Sequence, residues 1–152
     1  MTGRRRQRRS GTAVIELTLS MMVLTPMFLG AATFGYSFYI YEKLVNAVRT
    51  GSRYASTLTY DSATSTPTSA FSTAVKKMTV YGDPSANTAT ATAVVTGLTT
   101  SNVNLTVTFA SGVPTGMTVS ISGYQIPSYL GRVTLSNKPY AWFPFTGLFG
   151  PP

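Results

Sequence analysis

RRRQRRSGTAVIELTLSMMVLTPMFLGAATFGYSFYI, residues 4–40, decides the architecture. Arg4, Arg5, Arg6, Arg8 and Arg9 stand directly before an apolar run. From Leu17 to Ile40 there are 24 residues without a charge. As a helix rising about 1.5 Å per residue, that run spans roughly 36 Å. The hydrocarbon core of a bilayer is about 30 Å thick, so the run is long enough to cross it with modest tilt or a kink. Pro26 distorts the helix near its middle, a defect that lipid-embedded helices tolerate. A cationic flank stays on the cytoplasmic side, which places residues 42–152 across the membrane. Phe34, Tyr36, Phe38, Tyr39 and Tyr41 crowd the far end, where aromatic rings favour the membrane–water interface.

Two rival readings of this stretch stay open. It is also compatible with a core helix of a soluble protein, although such helices rarely combine this length with a polybasic flank. Alternatively it is a secretory signal, with residues 1–11 as its basic region, 12–29 as its apolar region and a signal peptidase cut near Ala32. The released chain would then be a secreted or periplasmic binding domain. Against this, the apolar character continues through Thr33–Ile40.

Charge supports the membrane reading over a nucleic-acid one. The formal net charge is +8. Once the first eleven residues are set aside, seven basic and four acidic residues remain, a net charge of +3. The excess therefore belongs to the leader, and no nucleic-acid partner is expected. The chain has neither cysteine nor histidine. Disulfides and thiolate or imidazole metal sites are excluded, and the commonest general base is missing. No cofactor or metal is expected.

Glu16 is out of place inside the apolar stretch. A carboxylate costs about 2.5–3.5 kcal/mol at mid-bilayer and less near the edge, so it usually has a partner or a function. Five positions before it stands Gly11. The segment RRRQRRSG-TAVIE, residues 4–16, resembles the leader and cleavage signal of type IV prepilins. That resemblance implies cutting by a prepilin peptidase between Gly11 and Thr12. It also implies that Glu16 pairs with the freed amine of a neighbouring subunit during assembly. The peptidase would need a small residue at Gly11 for the extended backbone to enter its site.

The longer stretch, about residues 10–56, is similar to the TadE-like family of minor pseudopilins in the tight-adherence (Flp) pilus system. The features that carry this are Ala13–Glu16, Phe34–Gly35–Tyr36 and NAVRTGSRYA, Asn46–Ala55. Where the family reads V-E-F this chain has Ile15–Glu16–Leu17, and Thr25–Pro26 interrupts the apolar run. The resemblance implies a structural, non-enzymatic subunit of the bacterial inner membrane. Its N-terminus would be cytoplasmic, its C-terminal domain periplasmic or extracellular, and its partners other pilin or pseudopilin subunits. Gly30, Ala31, Ala32 and Gly35 offer small surfaces for close helix approach.

Beyond the span, the organisation expected is a leader (1–11), a transmembrane and amphipathic helix (12–56) and an extracytoplasmic domain (57–152). The fold class is α+β: a long N-terminal helix continuing as an amphipathic arm, then one short helix and an antiparallel sheet. Leu44, Val45, Ala47, Val48 and Ala55 fit helical spacing, and Gly51 is expected to loosen the arm near its end. Arg49 and Arg53 lie four apart on one face and are candidate contacts for a partner carboxylate or a lipid headgroup. Residues 57–69 read as a loop. Ser69 is expected to cap a helix over 70–78 whose shared face carries Phe71, Ala74, Val75 and Met78. Asp83 reads as a turn residue.

Val103, Leu105, Val107 and Phe109, then Met117, Val119 and Ile121, alternate with polar residues and predict two half-buried strands. Ala110–Gly116 is expected to be a long turn between them. Residues 132–136 and 88–95 are weaker strand candidates. The tail PYAWFPFTGLFGPP, residues 139–152, is aromatic and proline-rich. Trp142, Phe143, Phe145 and Phe149 are candidate partner or lipid contacts there, or they cover the sheet. The carboxylates beyond the span, Glu42, Asp61 and Asp83, form no spaced pair for acid–base work, and a Ser–Lys nucleophile would have to involve Lys76 or Lys77.

Overall fold

The computed structural model describes residues 4–128, 131–134 and 139–145, with side chains from Gly11 onward. Its first element, α1, runs unbroken from Arg4 to Thr57, 54 residues, through Pro26. That is about 80 Å of helix. From Gly11 to Tyr39 its side chains are exposed or half-buried, and from Ile40 onward one face is buried. Ile40, Leu44, Ala47, Val48, Gly51, Ser52 and Ala55 form that face, at the spacing the sequence predicts. The helix is thus an apolar rod for one half and the backbone of a domain for the other.

The domain packs α1 and α2 (Ser69–Tyr81) on one face of an antiparallel sheet. The sheet has the order β1 (Val103–Ala110), β2 (Val113–Ile121), β5 (Tyr140–Pro144). Helix α1 lies against β2 and β5, and α2 lies against β1. Val103 and Val107 of β1, Met117, Val119 and Ile121 of β2, and Ala141 of β5 turn inward to the helices. A separate hairpin, β3 (Gln125–Ser128) with β4 (Gly131–Thr134), buries Ile126, and its β3 strand touches α1. The α+β fold class expected from periodicity is the one observed.

Several local expectations need correction. Gly51 does not loosen the arm. It is buried where α2 crosses α1, and a Cβ there would lie 2.0 Å from Thr79 Oγ1. Thr68 rather than Ser69 caps α2: it is extended, and its hydroxyl accepts the Phe71 amide at 3.3 Å. Its own hydroxyl donates to the Asp61 carboxylate. The helix runs on to Tyr81 and stops at Gly82, whose φ of 73° suits a residue without a Cβ. Phe71 and Val75 of the expected face are buried, but Thr79 and Val80 complete it, while Ala74 and Met78 are only half-buried.

The turn between β1 and β2 is tight rather than long. Ser111 and Gly112, with φ of 52° and 81°, make a two-residue connection. The extra residue is absorbed further along, where the register shifts between Thr108 and Phe109 and Thr115 has no opposite number. Residues 88–95 are not a strand but a series of turns begun by Asn87, whose side chain accepts the Ala89 amide at 3.0 Å. Their alternation pairs alanine with threonine, too little apolar contrast to define a buried face. The candidate strand near Arg132 exists as β4, but in the separate hairpin. The tail supplies a strand that the aromatic run concealed: β5 pairs with β2 over Tyr140–Pro144.

Candidate functional site: the exposed helix and its cleft

Among the described residues nothing covers the apolar half of α1. Val14 through Tyr39 includes fifteen large hydrophobic side chains that are exposed, Phe28 and Phe34 among the most open at 77 % and 75 %. A water-facing helix of this kind is unfavourable, because apolar area left in water costs about 25 cal/mol per Å². Two of the hydroxyls along it bond back to the helix itself. Thr18 donates to the Val14 carbonyl at 2.8 Å and Ser37 to the Thr33 carbonyl at 2.9 Å. Such back-bonding is how a polar side chain enters lipid at low cost. Among the described residues one helix, near the N-terminus, is long and apolar enough to cross a membrane.

The residues singled out for processing and packing lie on this rod. Gly11, Thr12 and Glu16 are helical and exposed, with Glu16 one turn beyond Thr12. Gly30, Ala31, Ala32 and Gly35 are likewise exposed, and nothing in the chain lies within 4 Å of a Cβ placed on Gly11, Gly30 or Gly35. These small residues leave open surface that the chain's own domain does not fill.

At the other end the arm carries polar chemistry. Asn46, Arg49, Thr50 and Arg53 of α1 line an open cleft of about 550 Å³ with Phe143 of β5. The Arg53 guanidinium sits 5.8 Å over the Phe143 ring, a cation–π contact that limits its swing. Closer to the apolar half of α1, Lys43 Nζ lies 4.8 Å from the Tyr39 ring centre. Ser52 holds β5 against α1: its buried hydroxyl donates to the Ala141 carbonyl at 2.9 Å. The cleft therefore rests on a fixed wall. Two cations side by side in a cleft suit a carboxylate or another anion.

The aromatic tail residues do not gather into one patch. Trp142 is half-exposed on the outer face of the sheet. Phe143 faces the cleft, and Phe145 packs on Tyr60 with ring centres 5.7 Å apart. Phe149 lies outside the described residues. Tyr60 itself was invisible in the Ser/Thr-rich loop, yet it joins Phe71 and Phe109 edge-to-face at 5.6 and 5.9 Å. Burial pushes its phenol above the ordinary value of 10.0, with the Ser62 side chain opposing and the Asp61 charge adding.

A second hollow of about 380 Å³, beside β3, is lined by Thr96, Asn102, Tyr124, Gln125, Pro127 and Arg132. Its polar groups are occupied: Tyr124 Oη donates to the Thr96 carbonyl at 2.9 Å and Asn102 Nδ2 to the Ser122 carbonyl at 3.2 Å. Burial, with a smaller contribution from Tyr36, raises the Tyr124 phenol above 10.0 and keeps it a donor. Asp83 is spent on a turn, accepting the Ser85 amide and hydroxyl at 2.8 and 2.7 Å. Among the described residues no group of three or more acidic, histidine or cysteine side chains is placed to hold a metal ion.

Among the described residues, one N-terminal apolar helix, exposed along its apolar half and continuous with an α+β domain, points to a membrane-anchored class of protein. Residues 11–53 match the family model described as TadE-like protein, so this segment of the chain is similar to that family. No curated protein and no solved structure matches the chain.

Proposed function

We propose that the chain is a structural pseudopilin of a tight-adherence (Flp) pilus, not an enzyme. It is made with the leader 1–11, cut by prepilin peptidase between Gly11 and Thr12, and held in the bacterial inner membrane by α1. Its C-terminal domain, 57–152, faces the periplasm or the exterior and travels with the helix into the assembly. Its partners are other pilin or pseudopilin subunits.

The observation that carries this reading is the unbroken α1, apolar and uncovered from Val14 to Tyr39 and then continuous with the domain's own core. A signal peptide is expendable to the fold it precedes. A cut near Ala32 would instead leave Phe34, Tyr36, Phe38 and Tyr39 exposed at the start of the released chain, which favours retention of the helix in a membrane. The family match begins at residue 11, where the proposed cut falls. Mass spectrometry of the mature N-terminus tests the proposal. Thr12 as first residue is the expected result, and Met1 or Thr33 in that place would overturn the processing step.

A further inference from the structure

Glu42, Asn46, Arg49 and Arg53 recur at intervals of four, three and four residues, which aligns them along one line of α1. All four are exposed. The line lies opposite the buried face of Leu44, Val48, Gly51 and Ala55, so it points away from the chain's own core. Continued toward the N-terminus at the same spacing, it passes through Phe38, Gly35, Ala31 and Phe28. Among the described residues no ion pair involves Glu42, Arg49 or Arg53; the only contact of a charged head there is Arg53 over Phe143.

We infer that this line is a self-association surface for a second copy of the chain, parallel and displaced along the axis by about two helical turns. It rests on the pseudopilin reading, because only a shared membrane makes the two helices parallel. In register, Glu42 would face Glu42 and Arg49 would face Arg49, and like charges repel. A displacement of seven residues, roughly 10.5 Å, brings Glu42 of one copy opposite Arg49 of the second, with Arg53 one turn beyond. The carboxylate then enters the cleft walled by Phe143, between the two guanidiniums. The same displacement sets Phe28 against Gly35 of the second copy and Ala31 against its Phe38. At both of these steps a large side chain meets a small one, which lets the helices approach closely in lipid.

A lipid headgroup is the weaker occupant for this cleft. Arg49 is eight residues past Tyr41, the last of the uncharged run, roughly 12 Å beyond it. The headgroup layer is only about 5–8 Å deep. The exposed charges set the register more than the affinity, since surface ion pairs contribute little by themselves.

The chain has no cysteine, so introduced thiols report without background. Tyr39→Cys in one tagged full-length copy and Asn46→Cys in a differently tagged copy, co-expressed in membranes and oxidised, test the displacement. The expected result is a mixed dimer at least tenfold above either self-linked dimer. Glu42→Arg in both copies, or Arg49→Glu with Arg53→Glu, should reduce it at least tenfold. The triple reversal Glu42→Arg, Arg49→Glu, Arg53→Glu should restore it, which also shows that the variants fold. Dominant self-links, or a mixed dimer indifferent to charge reversal, would overturn the inference. A chain that begins at Thr12 but gives no mixed dimer overturns the pairing alone. A mixed dimer from a chain that begins at Met1 overturns the processing step alone.

Discussion

Gly51 and Thr79 close the crossing of α1 and α2, with the Thr79 hydroxyl lying where a side chain on residue 51 would begin. A Cβ on Gly51 would be 2.0 Å from Thr79 Oγ1 and 3.1 Å from its Cβ. Thr79 cannot easily swing away, because it is fully buried and its hydroxyl donates to the Val75 carbonyl at 2.8 Å. The glycine is therefore kept for clearance, although it is a poor helix former.

Gly51→Ala should accordingly destabilise the domain. Alanine gains about 1 kcal/mol of helix propensity, but overpacking of this severity costs about 1–3 kcal/mol and forces the helices apart. Thr79→Ala removes the obstructing hydroxyl, so the double variant should recover most of the loss. Unfolding of the four proteins in detergent gives the double-mutant cycle. Strict additivity of the two substitutions would show that the residues do not meet.

Trp142 lies over Gly116 on the outer face of the sheet. A Cβ on Gly116 would come within 2.7–2.8 Å of three atoms of the indole. Gly116→Ala should push the ring off the sheet into solvent. Trp142 is the chain's one tryptophan, so the displacement is read directly as a red shift of intrinsic fluorescence. An unshifted spectrum would mean that the indole does not rest there. The stability loss should be small, because Trp142 is already half-exposed.

The legible parts of this fold were those where a strong period met a large apolar residue. Leu44, Val48 and Ala55 announced the buried face of the arm, and Val103 to Phe109 and Met117 to Ile121 announced their strands. The concealed parts depend on partners distant in sequence. Gly51 looks like a helix breaker until Thr79 is seen against it. Tyr60 sits among serines and threonines, and only the convergence of Phe71, Phe109 and Phe145 makes it a core residue. Strand β5 was hidden because its inward residues, Ala141 and Phe143, are interleaved with Tyr140 and Trp142, so the alternation that marks a half-buried strand was masked by aromatics on both faces. For the candidate site, the spacing of Arg49 and Arg53 was readable, but the Phe143 wall that turns two surface arginines into a cleft was not.

Asp83 should titrate below the ordinary carboxylate value of 3.8. The Ser85 hydroxyl is the main cause, its amide the next, and Lys77 adds a smaller attraction. A depressed folded value stabilises the fold above the unfolded pKa, and that contribution is lost as pH falls through the folded value. The turn after α2 is thus fully supported at neutral pH and weakens only in acid. Carboxyl-carbon NMR of Asp83 should give a midpoint below 3.8, and Ser85→Ala should move it upward. A midpoint unchanged by Ser85→Ala would remove the serine as its cause.

Tyr60 ties the 58–68 loop to the core through its ring and its hydroxyl separately. The ring meets three phenylalanines, and the hydroxyl donates to the Thr64 carbonyl at 2.6 Å. Tyr60→Phe keeps the ring and should cost about 1 kcal/mol, the usual net worth of one hydrogen bond. Tyr60→Ala empties the cluster and should cost about 3–5 kcal/mol. Burial raises the phenol above 10.0, so its stabilising contribution is complete below that pH and is lost as pH rises through the folded value. The native protein should therefore lose stability in strong alkali, and Tyr60→Phe should lose less of it over the same interval. Denaturant unfolding at neutral and alkaline pH separates the two roles. Equal losses for the phenylalanine and alanine variants would mean that the ring contacts contribute nothing, and an identical alkaline decline in Tyr60→Phe would assign the sensitivity to another tyrosine, with Tyr124 the next to substitute.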